Sequence, residues 1–224
     1  MYELSILAKP LLMASIAALS LAAMRPAWAG AAAQASTTST LPLADSNALQ
    51  TAVFAGGCFW GVDAVFRHVK GVAAVESGYA GGDASTAQYD KVSEGNTGHA
   101  EAVRVKFNPG QISYQQLLHV FFTVAHDPTE FNRQGPDVGS QYRSAVFFAD
   151  AEQQKAAQGV IQQLTATQTY SAPIVTQLTP LQGFYPAEPY HQNYLAQHTD
   201  QPYIVYNDLP KVEHLRKQFP DLYQ

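Results

Sequence analysis

Cys58 is the only cysteine among the 224 residues, and it stands in the run Gly56-Gly57-Cys58-Phe59-Trp60-Gly61. The paired glycines permit a sharp turn and close backbone approach. Residues 58–69 then have helical spacing, with Val62, Val65, Phe66 and Val69 on one face. A cysteine in the first turn of such a helix lies beside unpaired N–H groups and the positive end of the helix dipole, which favour the nucleophilic thiolate. The same spot also suits an inert buried thiol, a frequent state of free cysteine. Phe59 and Trp60 read either as core or as an apolar wall beside the nucleophile, suited to a small group such as a methyl.

Glu101 opens a stretch of alternation in which Val103, Val105 and Phe107 share its face while Arg104 and Lys106 point the other way. A carboxyl on the core face loses hydration and keeps its proton, and near a thiolate it is suited to act as a general acid. As the first residue of the strand, it could equally remain in solvent. Asp137, Tyr142 and Arg143 punctuate a polar loop entering a strand, and Tyr89 lies in an earlier loop. Phenols at such places can donate hydrogen bonds to a substrate oxygen, although loop tyrosines also serve as packing residues. The seven histidines show no close metal-ligand spacing, and one cysteine argues against structural zinc. Neither a P-loop nor a dinucleotide fingerprint is present.

The elements that must position these residues are legible from periodicity. Ala52–Ala55 reads as a buried strand, 58–69 as a helix ended by Gly71, and 73–79 and 101–107 as strands. Ser113 is a candidate N-cap for an apolar helix over 114–125, and 126–141 reads as a loop. Next come a strand over 143–148, a helix over 151–164 capped by Asp150, and a strand over 174–178; from Pro186 on, short helical stretches alternate with turns. Strands and helices mix without strict βαβ repetition, which predicts an α+β fold with helices packed on a mixed or antiparallel sheet.

The N-terminus is a different kind of sequence. Leu11–Met24 is an apolar run too short to span a bilayer, preceded by Lys9 and followed by Ala27-Trp28-Ala29, a small-x-small cleavage pattern. Residues 1–29 are therefore expected to be a signal peptide, 30–46 a flexible low-complexity linker of Ala, Ser, Thr and Gln, and 47–224 the folded domain. An exported, periplasmic monomer with no membrane span after cleavage is expected. The net charge of −5 favours no nucleic-acid or anionic-membrane partner. Met1, Met13 and Met24 are the only methionines, so the expected mature chain has none, in keeping with an oxidising compartment.

Six motifs in order, Gly57-Cys58-Phe59-Trp60-Gly61, Gly78-Tyr79-Ala80-Gly81-Gly82, Thr97-Gly98-His99-Ala100-Glu101, His126-Asp127-Pro128, Asn132-Arg133-Gln134-Gly135 and Gln141-Tyr142-Arg143-Ser144, resemble type A peptide methionine sulfoxide reductases. The likeness continues through Phe184–Glu188 and Tyr190-His191-Gln192. It implies a two-layer α+β sandwich related to the ferredoxin-like arrangement. It also implies reduction of the S epimer of methionine sulfoxide in oxidised proteins or peptides, without metal or nucleotide. Cys58 would attack sulfur and become a sulfenic acid, and Glu101 would protonate the departing oxygen. Tyr89 and Tyr142 would bond that oxygen, Phe59 and Trp60 would hold the methyl, and Asp137 would help bind the substrate main chain. The chain departs from many members in having no resolving cysteine, either near Ser93 or in the tail, and in having Pro136 and Pro189. Regeneration would then need an external thiol, from a thioredoxin-like protein or a small molecule.

Two other classes stay open on the residues alone. A cysteine hydrolase or acyltransferase would pair Cys58 with one of the histidines. A redox-sensing or binding module would use the same pocket without turnover.

Overall fold

The computed structural model describes residues 48–224. The expected signal peptide and linker lie outside the described residues.

Ala52–Ala55 carries no polar side chain because it is covered on both faces. It belongs to β1 (Gln50–Gly56), whose Ala52 and Phe54 join the large core cluster while Val53 and Ala55 join a second cluster. After β1 come α1 (Phe59–Arg67), β2 (Val72–Ala80), the short α2 (Tyr89–Val92), β3 (Ala100–Phe107) and α3 (Tyr114–Val120). A small hairpin of β4 (Arg133–Gln134) and β5 (Asp137–Val138) leads to β6 (Ser144–Phe148), and then to α4 (Ala151–Ala166) and β7 (Gln177–Pro180). The chain ends with β8 (Phe184–Pro186), α5 (Tyr194–Gln197) and α6 (Leu209–Gln218).

The main sheet has the order β7-β6-β1-β3-β2-β8, antiparallel throughout except for the β6–β7 pair. Its centre, β1-α1-β2-β3-α3-β6 with β6-β1-β3-β2 in space, is the expected ferredoxin-like arrangement. Val103, Val105 and Phe107 of β3 face the same cluster as α1 and α3. On the other face Ala55, Ala80, Ala100, Ala102 and Ala145 are small, which leaves room for Leu181 and Phe184 to pack close to the sheet. Helix α1 is buried on nearly every side, because the sheet holds one face and α5 and α6 cover another.

The structure departs most from the periodicity reading at four places. The first helix spans Phe59–Arg67 rather than 58–69. Ser113 and Gln116 form a reciprocal capping box at the start of α3 as expected, but regular helix stops at Val120 and the backbone widens to a π-turn over Phe121–Ala125. That turn buries Phe121 and Phe122 together and leaves the Phe121 carbonyl to bond His126 Nδ1 at 2.9 Å. The stretch 126–141 contains the β4–β5 hairpin. The strand expected over 174–178 runs Gln177–Pro180, where parallel pairing with β6 sets its register.

Candidate active site

The turn that presents Cys58 is built from behind. Gly57 adopts φ +88°, a left-handed conformation that favours glycine. A Cβ there would sit 2.5 Å from Cβ of Gln134, and one on Gly56 would sit 2.8 Å from the His126 ring. Gln134 is itself locked, since its carbonyl accepts from the Asp127 N–H at 3.0 Å and its amide donates to the Asp127 carbonyl. His126 Nε2 lies 2.6 Å from the Ser144 hydroxyl, and burial holds its pKa down to about 4, so the ring is neutral. The His126-Asp127-Pro128 and Asn132–Gly135 motifs thus serve as the backing of the Gly56-Gly57 turn.

Cys58 stands at the N-cap of α1, one position before the first helical residue, and is 8% exposed. It makes no side-chain cap bond. The free N–H of Phe59 instead donates at 3.0 Å to Oε2 of Glu101, which is 2% exposed. Glu101 is therefore on the core side of β3, which decides between the two readings of the alternation. Burial pushes its pKa up to about 8 against the Phe59 hydrogen bond, with the Asp137 and Asp208 carboxyls adding to the rise. At neutral pH most of it carries a proton.

The thiol differs from the helix-terminus expectation. Burial pushes the Cys58 pKa well above its ordinary value, the Glu101 and Asp208 charges push it further, and the Trp60 N–H opposes them only in part. Loss of hydration outweighs the helix end, so the resting residue is a thiol rather than a thiolate.

Aromatic rings wall the site. Trp60 stacks on Tyr194 at 3.8 Å between centroids and donates its indole N–H to Nδ1 of His191 at 3.2 Å. His191 packs against Phe59 at 5.1 Å and Tyr89 at 4.4 Å. Tyr89, in α2, and Tyr142, in the turn that enters β6, both have their phenol pKa raised by burial and then by the Glu101 charge; Cys58 contributes to both. Neither phenol ionises near neutral pH, so both remain hydrogen-bond donors. Asp137 of β5 accepts a hydrogen bond from the Tyr203 hydroxyl, and the Tyr203 ring meets Trp60 edge-on. The fold therefore gathers Cys58, Phe59, Trp60, Tyr89, Glu101, Asp137 and Tyr142, drawn from five separate stretches of chain, around one thiol.

Sequence reasoning missed three residues of the C-terminal segment, Tyr203, Asp208 and Lys211. Asp208 is fully buried, with one carboxylate oxygen 3.4 Å from Lys211 Nζ and the other without a hydrogen-bond partner. Its side chain occupies the space a Cβ on Gly61 would need, one helical turn from Cys58, and burial raises its pKa to about 6. Tyr203, Asp208 and Lys211 carry no local pattern that marks them as buried. The one usable signal was Gly61, a small residue inside a short apolar helix.

Such a fold, with a lone buried thiol at a helix start, a protonated carboxyl bonded to the same helix end and phenols beside them, defines a thiol enzyme with its own acid. The sequence model of the family described as peptide methionine sulfoxide reductase matches residues 50–223, and the chain belongs to that family. A peptide methionine sulfoxide reductase of Mesorhizobium japonicum is 53% identical over 174 residues, covering 78% of this chain and 89% of the relative. One from Deinococcus radiodurans is 50% identical over 174 residues, covering 78% and 84%. Among solved structures, reduced Mxr1 of Saccharomyces cerevisiae aligns with TM-score 0.63 at 31% identity, covering 73% of this chain and 92% of its own. Methionine sulfoxide reductase A of Corynebacterium diphtheriae aligns with TM-score 0.59 at 31% identity, covering 67% and 76%.

Proposed function

We propose that this chain reduces the S epimer of methionine sulfoxide in oxidised proteins and peptides, and in the free amino acid, to methionine. The observation that carries the reading is the bond from the Phe59 N–H to Glu101, which ties a protonated carboxyl to the head of the helix that presents Cys58. The substrate methyl lies against Phe59 and Trp60, its oxygen points toward Tyr89, Tyr142 and Glu101, and Asp137 bonds its main chain. Cys58 sulfur attacks the sulfoxide sulfur while Glu101 gives its proton to the oxygen and takes up the proton of the thiol; the hydroxyl then passes from the substrate sulfur to Cys58 as the substrate S–O bond and the transient S–S bond break. The products are the thioether and a Cys58 sulfenic acid, so two electrons pass from the cysteine sulfur to the substrate sulfur.

Because Cys58 is the only cysteine, regeneration comes from outside. One thiol condenses with the sulfenic acid to give a mixed disulfide and water, and a second thiol releases Cys58. A thioredoxin-like dithiol supplies both; a small thiol supplies them one at a time. With dithiothreitol the purified protein is expected to reduce the S epimer of a sulfoxide peptide and leave the R epimer. A Cys58→Ser variant that kept its activity would overturn the assignment.

We also infer export. Leu11–Met24 with Ala27-Trp28-Ala29 supports cleavage after Ala29 and a periplasmic enzyme whose folded domain follows the linker 30–46. The intact mass of protein recovered from the periplasm is expected to begin at Gly30; recovery only in the cytoplasm with Met1 present would refute it.

A further inference from the structure

Tyr89 sits in a helix of four residues, which cannot be stable by itself. Its orientation must come from what packs on it; Val92 anchors the helix in the core, and two supports of Tyr89 itself belong to one arm, residues 184–192. The Glu188 carboxylate accepts the Tyr89 backbone N–H on Oε1 at 2.9 Å, and the His191 ring lies 4.4 Å from the Tyr89 ring. The other oxygen of Glu188 accepts from the buried Tyr79 hydroxyl at 2.9 Å, and the Tyr79 ring backs Phe59 at 5.9 Å. The arm is rigid in turn. Its strand β8 pairs with β2, and Gln192 accepts from the Ser77 N–H while donating to the Ser77 and Ala187 carbonyls, each at 2.9 Å.

We propose that Glu188 is a positioning residue for the reaction, holding Tyr89 at the substrate oxygen through the first N–H of α2 and joining it to the Tyr79–Phe59 wall. The inference rests on the reading of Tyr89 as a donor to that oxygen. Burial opposes the charge of Glu188, but the bonds from the Tyr89 N–H, from its own backbone N–H and from the Tyr79 hydroxyl, with the His191 ring nearby, together outweigh it and keep the carboxyl below its usual range. Ionised, it accepts on both oxygens at once. A glutamine could keep both bonds, accepting the Tyr89 N–H and donating to the Tyr79 phenol oxygen, so the substitution that breaks the link is Glu188→Ala, which removes both acceptors.

The test is a double-mutant cycle on the single-turnover rate of Cys58 oxidation by a sulfoxide peptide. Tyr89→Phe and Glu188→Ala are each expected to slow it about tenfold, the loss of roughly one hydrogen bond. In the Tyr89→Phe background Glu188→Ala is expected to add nothing. Alkylation of Cys58 by iodoacetamide needs no oxygen donor and is expected to be unchanged in Glu188→Ala, which separates positioning from loss of fold. Losses that multiply, or a wild-type rate in Glu188→Ala, would overturn the proposal. A Tyr89→Phe enzyme of wild-type rate would overturn the reading of Tyr89 and the inference with it. Should Glu188→Ala fail to fold, the same cycle is run with Glu188→Asp, which keeps the charge but withdraws it from the Tyr89 N–H.

Discussion

At the residue scale the central fact is a thiol held protonated beside two carboxyls. Desolvation leads, and Glu101 and then Asp208 add to it. Removing a negative charge near a thiol lowers its pKa, and each unit is tenfold in thiolate at a given pH. Asp208→Asn is therefore expected to raise the rate of Cys58 alkylation several-fold at neutral pH, with the midpoint of the pH–rate curve moved down. An unchanged midpoint would mean that the charge of Asp208 is not felt at Cys58. Glu101→Asn is a less useful probe, because it also removes the acceptor for the Phe59 N–H. Cys58 and Glu101 were legible as types and positions, one from its glycines and aromatics, the other from strict alternation. The protonation of the thiol was not legible, since a helix start favours the thiolate while burial opposes it, and only packing says how deep the residue lies.

At the element scale the turn before α1 is the most constrained part of the site. Gly57→Ala places a Cβ at φ +88° and 2.5 Å from Gln134. Strain of this kind is expected to lower stability by about 1–3 kcal/mol, and because the turn carries Cys58, kcat should fall with it. Ser113→Ala gives the contrast. It breaks the capping box of α3, away from the site, and is expected to lose about 1 kcal/mol in denaturant titration with reductase activity unchanged. Equal losses of activity in the two variants would show that the turn has no special role. The regular elements were readable because their apolar periods are long, as in β3 and α4. The arm 184–192 and the turn 203–208 were not, because segments held by side-chain bonds such as those of Gln192 and Tyr203 need no periodicity.

At the scale of the whole molecule, the buried ionisable groups couple stability to pH. Glu101 has a folded pKa raised to about 8 from 4.5, so between those values the native state holds a proton that the unfolded chain releases, and stability falls as pH rises. Asp208, raised to about 6, acts in the same direction at lower pH. His126, lowered to about 4 from 6.5, acts oppositely, since there the unfolded chain binds the extra proton. Above pH 6.5 the contributions of Asp208 and His126 are opposite in sign and fade, and the slope from Glu101 dominates. Tm is expected to decline from about pH 6.5 to about 8, and Glu101→Gln is expected to flatten that decline while reducing turnover by about 100-fold or more. A Glu101→Gln protein with the wild-type slope would place the titration elsewhere. Reductase activity should fall over the same upper range, as Glu101 loses the proton it donates.

By itself the sequence determined the fold class, the order of the central elements, the solitary nucleophile and the alternation of β3 that allows Glu101 to face the core. Each of these depends on residue type and spacing over a few turns of chain. Tertiary structure decided the rest: that Cys58 rests as a thiol, that Asp208 is a second buried carboxyl beside it, and that Glu188 ties Tyr89 to the Phe59 wall. Those are consequences of residues far apart in the chain meeting where water is excluded. Loss of hydration, which controls their charge, is a property of the packed interior rather than of any stretch of sequence.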